Sequence, residues 1–144
     1  MREILFRGKR KNGNGEWLYG DLLHDYWVHG DTVMPCAIRY KINSSYSFPI
    51  EVIPETVGQF TGLHDKNGKM VFEGDYDANY DVIAWCNNRQ GWAMKAYDFP
   101  TDDFMLCHCY QCEGNFEIND IDMSLEIIGN IHDKPELIKQ GGSK

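Results

Sequence analysis

The chain has 144 residues, of which 42% are hydrophobic and 25% are charged. These proportions are typical of a globular protein and exclude a disordered or collagen-like chain. The formal net charge is −8 at pH 7, with seven Lys/Arg and five Asp/Glu in residues 1–50 and seven and seventeen in residues 51–144. Because an acidic chain repels phosphate backbones, this balance disfavours nucleic acid as a partner.

The apolar stretches are far shorter than the roughly 20 residues that span a bilayer. The first ten residues carry charges throughout and lack the apolar centre of a secretory signal. We therefore expect a cytoplasmic protein of the host cell with no membrane segment. Its five cysteines, an odd number, fit reduced thiols better than disulfides. Nucleotide-binding glycine motifs and metalloprotease motifs are absent, so we expect no cofactor.

Strands are predicted where apolar residues alternate between turn signals of Gly, Asn and Pro. In chain order these are residues 3–7, 17–19, 26–29, 33–40, 51–53, 82–86, 92–97, 104–110, 116–118 and 125–131. The first two form a predicted N-terminal hairpin, and 82–86 with 92–97 form another. Gly20 and Asp21 predict a break or bulge after the second strand.

Helix is predicted only as one turn at 134–139, where Pro135 suits a first helical position. No stretch of twelve residues carries a helical apolar stripe. The pattern therefore predicts a mainly β fold, with small barrel-like or sandwich-like modules and short helical turns. Acidic residues accumulate after Gly74, which predicts an N-terminal module over 1–75 and a smaller acidic one over 76–144, with a single domain as the alternative.

Five segments, which follow one another in the family's order over nearly the whole chain, resemble the YopX family: residues 1–7, 17–20, 55–69, 72–75 and 127–136. The family is similar across phage, prophage and mobile-element proteins, and no biochemical activity is established for it. The resemblance implies a small, β-rich cytoplasmic protein of phage or prophage origin. Two stretches depart from the family pattern, residues 76–81 and the Cys-rich residues 107–112.

The segment with the densest turn signals supplies the candidate binding loop. Its polar side chains can bond turn backbone groups, which favours a scaffold role over ligand binding. Because loops host function disproportionately, a binding loop remains the alternative. The residues concerned are Gln59, Thr61, Asp65 and Asn67.

Cys109 and Cys112 have the spacing at which two thiolates share a zinc ion. Cys107, His108 and Cys86 could complete such a site, but no second pair of this spacing follows. We therefore favour plain reduced cysteines over a metal site or a redox dithiol. No ordered Ser/His/Asp or Cys/His set is recognisable, so we expect no catalytic residues and no enzymatic activity.

These observations favour an accessory protein-interaction module that self-associates and binds a host or phage protein. Four Trp and eight Tyr supply the residue types that dominate interfaces. Two alternatives remain: a small barrel that binds single-stranded nucleic acid through stacked aromatics, and an unrecognised metal-dependent enzyme.

Overall fold

The computed structural model describes residues 2–30, 32–96 and 125–133. Within them the fold is all-β, with helix limited to a 3-10 turn at Pro54–Thr56. The prediction of a mainly β fold is confirmed, and the described strands form open antiparallel sheets. The chain divides into two compact units, Met1–Phe60 and Thr61–Lys144. The boundary predicted after residue 75 falls inside the second unit.

The first unit is a sheet in which a long hairpin lies beside the N-terminal strand. Its strands are β1 (Phe6–Lys9), β2 (Trp17–Val28), β3 (Thr32–Arg39), β4 (Lys41–Ile42), β5 (Ser45–Tyr46), β6 (Ile50–Glu51) and the start of β7 (Gly58–His64). They lie in the order β6-β3-β2-β1-β7, and β4 and β5 form a separate small hairpin. The predicted hairpin of β1 and β2 is confirmed.

Gly20 does not break β2, which continues for 12 residues and takes in the separate strand predicted at 26–29. A Cβ atom at Gly20 would lie 2.3 Å from the Arg39 carbonyl oxygen. The glycine is therefore needed for close approach of β2 and β3 rather than for a turn, a role that residue type alone does not distinguish.

The two faces of this sheet differ in chemistry. Alternate residues of β2 and β3, among them Leu18 and Ile38, pack with Val52 into the core of the unit. The residues between them, such as Tyr19 and Asp21, project from the opposite face and are exposed. This opposite face is called the outer face below.

The second unit continues from the end of β7 into β8 (Met70–Phe72), β9 (Asp75–Asp77), β10 (Asp81–Cys86), β11 (Gly91–Ala96) and β12 (Ile127–Asn130). The last four form a sheet in the order β11-β10-β9-β12. Its core clusters around the buried residues Val71, Ile83, Leu125 and Ile127. The predicted hairpin of residues 82–86 and 92–97 corresponds to β10 and β11.

Strands β7, β8 and β9 were not predicted, because Gly and Asn are dense between residues 55 and 79. Gly62 lies inside β7 with φ of 88°, so a residue that signals a turn occupies an irregular position within a strand. The strands predicted at 104–110 and 116–118 and the helical turn at 134–139 lie outside the described residues.

Candidate functional site

The most densely bonded polar residue among the family segments is Asp65, a buried carboxylate just after β7. Its Oδ1 accepts hydrogen bonds from the backbone N–H groups of Asn67 and Lys69, both at 2.9 Å. Its Oδ2 accepts the N–H of Ile127, the first residue of β12, at 3.0 Å. One side chain therefore closes a tight turn and also ties that turn to a strand 62 positions away.

The protonation of Asp65 follows from these contacts. Burial by itself raises the pKa of the carboxyl, but the three backbone hydrogen bonds, from Ile127, Lys69 and Asn67, and the charge of Lys69 act the other way and prevail. The pKa is therefore lowered from its ordinary value of 3.8. At neutral pH the group is an acceptor only, which excludes a general-acid role for it.

Contacts beside Asp65 strengthen the same connection. The backbone N–H of Lys66 donates to the Leu125 carbonyl at 2.9 Å, and the Lys66 ammonium lies 3.2 Å from the carboxylate of Glu126. We call these contacts, together with the Asp65 bonds, the Asp65 clamp. It joins residues 65–69 to residues 125–127 within the second unit.

The other three predicted loop residues do not converge with Asp65 on one pocket. Thr61 donates its hydroxyl to the Val71 carbonyl at 2.8 Å and accepts the Leu63 N–H at 3.1 Å, so it stabilises β7. Gln59 is half-buried opposite Phe6. Asn67 is exposed, with its amide 3.5 Å from a Glu126 carboxylate oxygen. Thr61 and Asp65 thus have scaffold contacts, and Asn67 remains accessible on the surface.

A second knot lies where the segment 72–75 meets 130–133. The buried carboxylate of Asp75 accepts the Phe72 N–H at 2.8 Å. Gly74, with φ of 91°, accepts the Ile131 N–H at 3.0 Å. The Asn130 side chain in turn accepts the N–H groups of His132 and Asp133, both at 3.0 Å. These residues shape a turn and present no open cavity for a ligand.

Cys86 is the one candidate metal ligand that falls in the described part of the chain. It is buried, and its sulfur accepts the Arg89 N–H at 3.4 Å. Across residues 2–30, 32–96 and 125–133, no three His, Cys, Asp or Glu side chains come together as a metal site. Cys107, Cys109 and Cys112 lie outside the described residues.

Two surfaces of the first unit went unnoticed in the sequence. One is the end of the β2–β3 hairpin, residues 24–28 with 32–35, called the distal hairpin below; it exposes Tyr26 and Trp27. The other is the outer face, where Arg7 stacks on the Trp17 ring. Alternation in β1 and β2 contained this second signal, but the strand register was needed to align it.

The comparisons with known proteins agree on the family. A crystal structure of protein EF1440 from Enterococcus faecalis is similar at a TM-score of 0.44 and 22% identity, covering 96% of this chain and 99% of that one. No curated protein matches the chain. The described residues contain no helix of the length and apolarity that crossing a membrane requires. The family model described as YopX protein matches residues 5–139, and the chain therefore belongs to the YopX family.

Proposed function

We propose that the chain is a non-enzymatic interaction module, serving as an accessory protein of a phage or prophage, that binds a second copy of itself through the distal hairpin. The observation that carries this proposal is the exposure of apolar side chains on both faces of that hairpin. Residues opposite each other in an antiparallel pair share a face. Tyr26 therefore lies beside Met34 on one face, and Trp27 beside Val33 on the other.

The distal hairpin lacks the packing that supports the rest of the sheet. Trp27 is 64% exposed, and neither Trp27 nor Tyr26 belongs to a buried cluster among the described residues. β1 pairs with β2 only as far as Gly20, and β6 pairs with β3 only at Ala37 and Ile38. An isolated two-stranded ribbon is marginally stable in water, so a partner that covers it stabilises it.

A second copy is the occupant that the hairpin chemistry favours. Each face carries one aromatic and one aliphatic side chain, so a twofold axis can pair the aromatic of one copy with the aliphatic of the other. Pro35 on β3 has no N–H to donate, and Asp25 opposite it has φ of 51°. Both features disfavour pairing of strand edges, so the contact is expected to run through side chains.

The test is sedimentation equilibrium of the full chain at micromolar concentrations, for the wild type and Trp27→Ser. We expect an oligomer that persists at high salt, and a dissociation constant at least about tenfold higher for Trp27→Ser, because buried Trp is a typical hot spot. Phe48→Ser is the control, since Phe48 is 90% exposed and outside the hairpin. A single species near 16.7 kDa at every loading, or equal weakening by the control, would refute the proposal.

A further inference from the structure

The outer face of the first unit alternates cations with aromatic rings. The register of β1 and β2 sets Lys9 opposite Trp17 and Arg7 opposite Tyr19. The register of β2 and β3 sets Asp21 opposite Arg39. All of these side chains share one face of the sheet, because the alternate positions of the same strands form the core of the unit.

The rings and cations on this face are in direct contact. The Arg7 guanidinium carbon lies 4.7 Å from the centre of the Trp17 ring, and the Lys9 ammonium lies 5.5 Å from it. Arg7 is buried, so its stacking holds the half-buried Trp17 ring in place. Farther along the face, the Arg39 guanidinium carbon lies 4.3 Å from the centre of the Tyr46 ring, and that ring is 54% exposed.

The charge of this face is opposite in sign to that of the whole chain. Lys41 is the cross-strand neighbour of Tyr46 and adds a further exposed cation. Asp21 is the carboxylate that offsets part of this charge, through an exposed ion pair of 3.3 Å with Arg39. The four cations Arg7, Lys9, Arg39 and Lys41 therefore exceed the one carboxylate of the face, in a chain whose formal charge is −8.

We propose that this outer face, defined by Lys9, Trp17, Tyr19, Arg39, Lys41 and Tyr46, binds single-stranded nucleic acid. Such a strand offers phosphates to the cations and unpaired base faces to the rings, which is the combination that proteins use to hold single strands. A duplex hides its base faces, and an acidic protein surface has none. The interleaving of rings with cations therefore favours the single strand over either.

The test measures fluorescence anisotropy of a labelled DNA strand of about 15 nucleotides with the full chain at several salt concentrations. We expect binding at low salt that weakens as salt rises. The triple variant Lys9→Gln/Arg39→Gln/Lys41→Gln should reduce the slope of log K against log salt by about 2, at about 0.7 for each phosphate contact. Tyr46→Ala should weaken binding by between about fivefold and a hundredfold, with the slope unchanged.

Two controls separate this site from general attraction. Lys66→Gln removes an exposed cation of the second unit, and Trp27→Ala removes an exposed ring of the distal hairpin; neither should change the affinity. Circular dichroism melts verify that every variant is folded. The proposal fails if no strand binds at low salt, if duplex DNA of the same sequence binds equally well, or if heparin binds equally well while Tyr46→Ala has no effect.

Discussion

Replacing Asp65 by Asn tests whether one carboxylate holds the second unit together. The substitution keeps the size of the side chain but exchanges one acceptor oxygen for an NH₂ donor. If the remaining oxygen serves Asn67 and Lys69, the new NH₂ group faces the N–H of Ile127. The Asp65 clamp then contains two donors without an acceptor at its buried end.

The magnitude follows from which bonds are lost. The bond to Ile127 is buried, and a bond to a charged group contributes about 1.5–3 kcal/mol. Asp65→Asn should therefore lower the free energy of unfolding by about 2–3 kcal/mol. Asp65→Ala removes all three acceptor contacts, two of them only partly buried, and should lower it by about 3–5 kcal/mol.

Urea unfolding at pH 7 measures these differences, with Glu126→Gln as the matched control. Glu126 adjoins Ile127, and its exposed ion pair with Lys66 is expected to contribute less than about 1 kcal/mol. Hydrogen exchange gives a local readout, because the Ile127 N–H should lose its protection in Asp65→Asn and keep it in Glu126→Gln.

The effect should also depend on pH. Because the pKa of Asp65 is lower in the folded than in the unfolded state, its contribution is complete above the unfolded value and disappears as pH falls through the folded value. The difference between wild type and Asp65→Asn should therefore shrink below about pH 4. A loss no larger than that of Glu126→Gln, or a difference constant down to about pH 2.5, would contradict the reasoning.

Two further predictions concern backbone geometry and thiols. Gly74→Ala should cost about 1–3 kcal/mol in thermal unfolding, because φ is 91° there and the added Cβ would lie 3.4 Å from the His132 ring; an equal cost for Gly91→Ala, where φ is not positive, would count against this. In the native protein, a thiol reagent should label the half-buried Cys36 before the buried Cys86. The denatured, unreduced chain should yield all five thiols, and recovery of one or three would indicate disulfides.

Sequence patterns predicted the elements whose signals are local. The hairpins of β1–β2 and β10–β11 each combine alternation with a turn between adjacent strands, so a short window contains the whole signal. β7 was missed because the irregular position at Gly62 has the composition of a turn. The structural role of Asp65 depends on Ile127, and no local pattern identifies a partner at that separation.

The position of β12 in the chain has a consequence for synthesis on the ribosome. All described strand pairings of the first unit are complete once Phe60 has emerged, so that unit can fold while the remainder is still being translated. The second unit cannot do the same, because β9 lacks a neighbour and Asp65 lacks its Ile127 donor until residues 127–130 appear. Its sheet is therefore completed only after nearly the whole chain has been made, and until then nascent β9 exposes an unpaired edge to other chains.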